Sequence, residues 1–159
     1  MIQDVRVTSL FAVSLAILII CPVAFSTPSE PDWPGAKSTF DSFDQFDFEI
    51  DELKCRVVVP RDSAEGKPWV WRARFFGHEP QTDIALLEEG FHVAYVDVAG
   101  LFGSPKAVQR WNLFYDYLTR EHLFSKKPAL EGFSRGGLII YNWASANPDK
   151  VSCIYADAP

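Results

Sequence analysis

Residues 130–143 read LEGFSRGGLIIYNW, and the pentapeptide from Gly132 to Gly136 fits the pattern G-x-S-x-G. This pattern is typical of a serine nucleophile on a sharp turn between a strand and a helix. The apolar KPALEGF predicts the strand before the turn, and RGGLIIYNWASA predicts the helix after it. Ser134 is therefore predicted at the tip of a strand–turn–helix unit. Gly132, Gly136 and Gly137 would leave room for backbones that pass close together. The alternative is a glycine-rich turn with no chemistry.

Strands and helices alternate on both sides of this stretch. Three predicted strands come first, followed by a helix, a strand, a second helix, the strand before Ser134, the helix after it and a last strand. In that order their sequences are FDFEI, LKCRVVVP, PWVWRARFFG, DIALLEEG, FHVAYVDV, the long helix from about Pro105 to Phe124, KPALEGF, RGGLIIYNWASA and VSCIYADAP. This alternation predicts an α/β fold with a mostly parallel sheet and helices on both faces. The early strands, joined by a short turn, add an antiparallel edge.

The N-terminal segment is typical of an export signal. Residues 7–25 carry no charge, and small residues at Ala24 and Ser26 suit cleavage after Ser26. Residues 1–26 are therefore predicted to be a signal peptide of an extracellular or periplasmic protein. Residues 7–25 could instead be an uncleaved membrane anchor, since about 20 apolar residues span a bilayer. Residues 27–45, rich in Pro, Ser and Asp, predict a linker, and residues 46–159 predict the folded domain.

Composition excludes several classes of function. A net charge of −6 at pH 7 and a pI near 5.0 give no basis for nucleic-acid binding. His78, His92 and His122 form no cluster, and Cys55 and Cys153 lie far apart, so no metal site is predicted. The two cysteines could form a disulfide in an oxidising compartment, although two packed core thiols are the preferred interpretation.

The strand–G-x-S-x-G–helix context, its place after a fifth predicted strand and the order of the preceding elements resemble the α/β-hydrolase fold. The resemblance covers about residues 46–159 and the N-terminal part of that fold, with the sequence ending after the sixth predicted strand. It implies a serine esterase or acyl hydrolase that forms an acyl-enzyme on Ser134, acts on a small-molecule ester and needs no cofactor. A serine peptidase of the prolyl-oligopeptidase type shares the same turn and is an alternative.

The resemblance also implies an oxyanion hole. One donor would be the backbone N–H of Arg135, and the second would come from Phe76 or Gly77 in the loop after the third predicted strand. This chain has Gly77-His78 where many members of the family have His-Gly. His78 is interpreted as a loop residue without a catalytic role.

Two carboxylates are predicted at the same edge of the sheet as Ser134. Asp97 and Asp157 each stand at the end of a predicted strand. Because a cation at a helix N-terminus opposes the helix dipole, we expect Arg135 to have an acidic partner, and either carboxylate could serve. Each could also contact substrate or face water, and Asp157 could be the acid of a catalytic triad.

The family order places the catalytic histidine after the serine, yet all three histidines of this chain precede Ser134. We expect the histidine and the acid to lie outside this chain, which would then be part of an enzyme. The alternative is a secreted binding domain that kept the turn and lost the base.

Overall fold

The structure is a computed structural model that describes residues 32–159, so the predicted signal peptide (1–26) or anchor (7–25) lies outside the described residues. The seven strands are β1 Ala36–Phe40, β2 Phe43–Ile50, β3 Leu53–Val59, β4 Trp69–Ala73, β5 His92–Val96, β6 Ala129–Phe133 and β7 Cys153–Asp157. The α-helices are α1 Gln81–Glu88, α2 Pro105–Glu121 and α3 Gly137–Ala146. Over this range, no helix combines the length and the hydropathy needed to span a bilayer.

The strands form one mixed sheet in the order β1-β2-β3-β5-β4-β6-β7. The pairs β1–β2, β2–β3 and β3–β5 are antiparallel, whereas β4–β5, β4–β6 and β6–β7 are parallel. The predicted α/β class with an antiparallel edge is confirmed. The antiparallel part is larger than expected because one strand was not predicted.

The linker predicted for residues 27–45 is wrong over the part that the structure describes. β1 pairs with β2, with Ala36 opposite Asp47 and Phe40 opposite Phe43. Trp33 is buried, and its ring stacks on His122 with the centroids 3.7 Å apart. β1 is an exposed edge strand that buries almost no side chain, so its sequence lacks the apolar alternation that identifies a strand.

Helices cover both faces of the sheet, as predicted. On one face, α2 and α3 pack on β4: the rings of Trp71 and Trp111 stack with centroids 3.9 Å apart, and Trp143 meets Trp71 edge-on at 5.1 Å. On the other face, Leu87 of α1 packs in a smaller cluster with Val93. The apolar face of α2 follows from residues three and four apart, which lie on one side of a helix.

The two cysteines do not form a disulfide. Cys55 on β3 is buried, and burial raises the pKa of its thiol to about 12. Cys153 is exposed at the start of β7. The preferred interpretation of two core thiols is therefore correct for Cys55 and wrong for Cys153, because β7 is the outermost strand in the sheet order and its side chains are largely exposed.

Candidate active site

Ser134 stands at the tip of the turn between β6 and α3. It begins a 3-10 turn over Ser134–Gly136, and its φ of 49° lies in the left-handed region. Residues other than glycine seldom adopt this conformation, which costs on the order of 1 kcal/mol. Gly132 of β6 lies opposite Ala73, the last residue of β4, so Ser134 projects beyond the carboxyl ends of the parallel strands.

The glycines of this turn are in close contact with neighbouring atoms. A Cβ atom at Gly136 would lie 2.3 Å from the carbonyl oxygen of Ala73, and one at Gly132 would lie 2.4 Å from Cδ1 of Ile140. Both distances are shorter than any contact that a Cβ atom makes in practice. A Cβ atom at Gly137 would lie 2.5 Å from Cβ of Pro159. The contact at Gly136 is with backbone and cannot be relieved by a side-chain movement, whereas the end of the Ile140 side chain could move away from Gly132. The turn therefore brings β4 and the residues before α3 closer together than a side chain at Gly136 would permit.

Ser134 is half-buried and opens into a cleft of about 530 Å³. Leu138 and Tyr141 of α3 line the same cleft and expose 45% and 48% of their surface, so its wall includes uncovered apolar area. α3 begins at Gly137, directly after the 3-10 turn of Ser134, and the N–H groups and positive dipole end of a helix stabilise negative charge. The arrangement suits a serine oxygen that attacks an acyl group with an apolar part.

The predicted oxyanion residues Phe76 and Gly77 lie in the loop after β4. This loop begins next to the turn of Ser134, since Ala73 pairs with β6. The loop makes a tight turn in which the backbone N–H of His78 donates to the Phe75 carbonyl at 3.0 Å. The centre of the Phe76 ring lies 5.2 Å from that of the Phe40 ring. Phe76 would therefore contribute to an oxyanion hole through its backbone N–H and not through its side chain.

The structure does not bring the predicted acids to Arg135. Asp97 follows β5, and its Oδ1 accepts a hydrogen bond from the Ala99 N–H at 3.0 Å. Asp157 ends β7 and lines a separate cleft on the α1 side of the sheet with His78. Within residues 32–159 no ion pair joins Arg135 to either carboxylate. The described residues therefore provide no acidic partner for Arg135, which lines two clefts that neither carboxylate lines.

The histidines lie apart from Ser134. His92 pairs with Trp69 at the amino end of β4, the opposite edge of the sheet from Ser134, and His122 is buried after the end of α2. Only His78 lies near the carboxyl edge, where it is exposed. In the described part of the chain, no histidine forms a hydrogen bond with Ser134. The same part contains no group of three or more His, Cys, Asp or Glu side chains that could hold a metal ion.

A buried charge cluster of Arg72, Asp83 and Glu131 was not predicted from the sequence. Arg72 contacts Asp83, its Nη1 lies 3.2 Å from Oε1 of Glu131, and its Nη2 donates to the His78 carbonyl. The three residues expose only 3%, 0% and 7% of their surface. Strand alternation places Arg72 on the α1 face, but nothing in the sequence indicates that a helix residue will meet it there. The cluster ties β4, β6 and α1 to the loop that holds Phe76 and Gly77.

Burial, followed by the nearby Asp83 carboxylate, raises the pKa of Glu131 to about 7, and Arg72 opposes this rise. A carboxyl group whose pKa is higher in the folded state stabilises the fold at low pH. That contribution is lost as the pH rises from the unfolded pKa near 4.5 through the folded value near 7. The cluster should therefore weaken between about pH 5 and pH 8.

Glu131→Gln tests this assignment. We expect the variant to lose much of the fall in the free energy of unfolding between pH 5 and pH 8, a difference on the order of 2 kcal/mol. Urea denaturation of both proteins at the two pH values measures it, and the histidines contribute equally to both. Asp149→Asn, which changes an exposed carboxylate, is the control. An unchanged pH dependence in Glu131→Gln would contradict the raised pKa.

Comparison with known proteins gives a structural match without a sequence match. No protein-family model matches the sequence, and no similar sequence was found among curated proteins. A cold-adapted esterase from an Arctic intertidal metagenomic library is 13% identical with a TM-score of 0.60, over 79% of this chain and 63% of that one. An esterase from Pyrococcus furiosus (19%, TM-score 0.55, 78% and 56%) and an acetyl xylan esterase from Aspergillus awamori (13%, 0.55, 69% and 50%) are also similar.

These structures are α/β-hydrolases, and such low identities establish a common fold and nothing about chemistry. The order of strands, the crossover helices and the turn at Ser134 agree with this match. The chain spans 50–63% of the length of the three structures. It therefore has the α/β-hydrolase fold, and it corresponds to part of that fold.

Proposed function

We propose that this chain is part of a serine hydrolase that cleaves carboxylic esters through an acyl-enzyme on Ser134. The observation that carries the proposal is the left-handed conformation of Ser134, with a φ of 49°, on a turn whose glycines leave no room for a Cβ atom. Ten other non-glycine residues between 32 and 159 also have a positive φ, so it is the place of this conformation, beyond the carboxyl ends of β4 and β6, that supports a functional role. The esterases among the similar structures support the same reaction class.

In the proposed reaction, the Oγ of Ser134 attacks the acyl carbon and a base takes its proton. The tetrahedral oxyanion would face the backbone N–H of Arg135 and an N–H from Phe76 or Gly77. The ester C–O bond then breaks, and the base returns the proton to the leaving alcohol. Water attacks the acyl-enzyme in the same way, which releases the acid and restores Ser134.

None of the histidines in the described part of the chain is placed to act as the base for Ser134. His92 and His122 are buried away from the carboxyl edge, and His78 forms no hydrogen bond with Ser134. The proposal therefore requires a histidine and an acid from beyond residues 32–159. The same observation favours a second candidate, a binding domain that retains the turn and performs no chemistry.

Covalent labelling separates the two candidates. In the longest native form of the protein, we expect a fluorophosphonate to label Ser134, identified by peptide mapping, and p-nitrophenyl butyrate to be hydrolysed. A folded protein that shows neither reaction would be the binding domain. Ester hydrolysis with the label on another residue would show that Ser134 is not the nucleophile.

A further inference from the structure

Two arginines line one narrow cleft beside the turn of Ser134. We call it the arginine cleft, and its walls include Arg74, Arg135, Tyr95, Phe102 and Ile139. No carboxylate is among the residues that line it. Both arginines that line this cleft carry a positive charge, because arginine stays charged in proteins. The cleft is therefore a cationic site at the carboxyl edge of the sheet.

Arg74 is held firmly in this cleft. Its φ of 65° is in the left-handed region, and its Nη1 donates to the Ala99 carbonyl at 3.0 Å. Its guanidinium carbon lies 5.0 Å from the centre of the Phe75 ring. Within the described residues, the buried Nε of Arg74 has no hydrogen-bond partner. Leaving a buried donor without an acceptor is unfavourable, and a small shift of Arg74 towards an acceptor in the cleft would recover this loss.

Arg135 also lines the arginine cleft, and no described carboxylate pairs with it. It follows Ser134 directly, its side chain is exposed, and none of the carboxylates between residues 32 and 159 pairs with it. Asp97 lines a neighbouring cleft with Arg56 and does not line this one, although it interacts with Tyr95, which lines both. A cation at the start of α3 opposes the helix dipole. A bound anion would offset this interaction and would balance the positive charges of the two arginines.

Arg135 connects the arginine cleft to the cleft of Ser134, because it lines both. We propose that the substrate is an ester that carries a second, anionic group, a carboxylate, sulfate or phosphate, which Arg74 and Arg135 bind while the acyl carbon reaches Ser134. This inference rests on the proposed function and specifies its substrate class. Guanidinium groups recognise such oxyanions through paired hydrogen bonds.

Matched esters test the substrate class in the longest native form of the protein. On the acyl side, mono-p-nitrophenyl adipate is compared with p-nitrophenyl hexanoate, and on the alcohol side para-acetoxybenzoate is compared with its methyl ester. Spontaneous hydrolysis is subtracted from each rate. We expect kcat/KM of the anionic ester to exceed that of the neutral one by about tenfold in at least one pair. Added salt should reduce this preference, since it screens exposed charges.

Variants identify the residues that cause the preference. Arg74→Gln should lower the anionic-to-neutral ratio of kcat/KM by about tenfold, mainly through KM, and Arg74→Lys should keep part of it. Arg120→Gln removes an exposed positive charge from the last turn of α2, whereas the cleft lies beside Gly103 before its first turn, and should leave the ratio unchanged.

Two results would overturn the inference while leaving the proposed function intact. One is turnover of the neutral esters with no preference for either anionic ester at low salt. The other is an equal change of the ratio in Arg74→Gln and Arg120→Gln. If no ester is hydrolysed and Ser134 is not labelled, the proposed function fails, and the substrate class fails with it.

Discussion

Ser134→Ala is expected to lower kcat for p-nitrophenyl butyrate by about 10⁴-fold or more in the longest native form. The variant removes the oxygen that would form the acyl-enzyme, while the N–H groups at the start of α3 remain in place. Some hydrolysis above the rate in water should persist, because an oxyanion site acts without the nucleophile. The measurement is the steady-state rate, together with the loss of fluorophosphonate labelling.

Ser145→Ala is the matched control for this variant. Ser145 is exposed on α3, the helix that follows the turn of Ser134, and lines neither of the clefts next to Ser134. It should leave both the rate and the labelling unchanged. If Ser134→Ala retained the rate of the unaltered protein with its circular dichroism unchanged, Ser134 would not be the nucleophile.

Gly136→Ala is expected to destabilise the fold by about 3 kcal/mol. The added Cβ atom would lie 2.3 Å from the carbonyl oxygen of Ala73, and backbone atoms in a sheet cannot move aside as a side chain can. The φ of Gly136 is −64°, so the effect would come from this contact and not from the backbone conformation. Urea denaturation measures the free energy of unfolding.

Gly100→Ala is the control, because a Cβ atom there meets nothing within 4 Å and the backbone is outside the left-handed region. It should change the free energy of unfolding by less than about 1 kcal/mol. Equal losses in the two variants would show that β4 does not approach the turn as closely as the structure has it.

Most of the fold could be predicted because its elements bury regular apolar patterns. β4, β5 and β6 are mostly apolar strands whose residues are largely buried, and α2 repeats large apolar residues at three- and four-residue steps. β1 could not be predicted for the opposite reason. Its side chains from Ala36 to Thr39 are exposed, so pairing with β2 through backbone hydrogen bonds holds it in the sheet without a pattern in the sequence.

The sequence by itself determined the turn at Ser134, because glycine spacing and the change from strand to helix are local properties of residues 130–143. Only the tertiary structure decided which charges meet. Arg72 finds Asp83 and Glu131 across three elements, whereas Arg135 lies with Arg74 and meets neither predicted acid. Partners of this kind depend on the register and packing of distant strands, which local sequence does not encode.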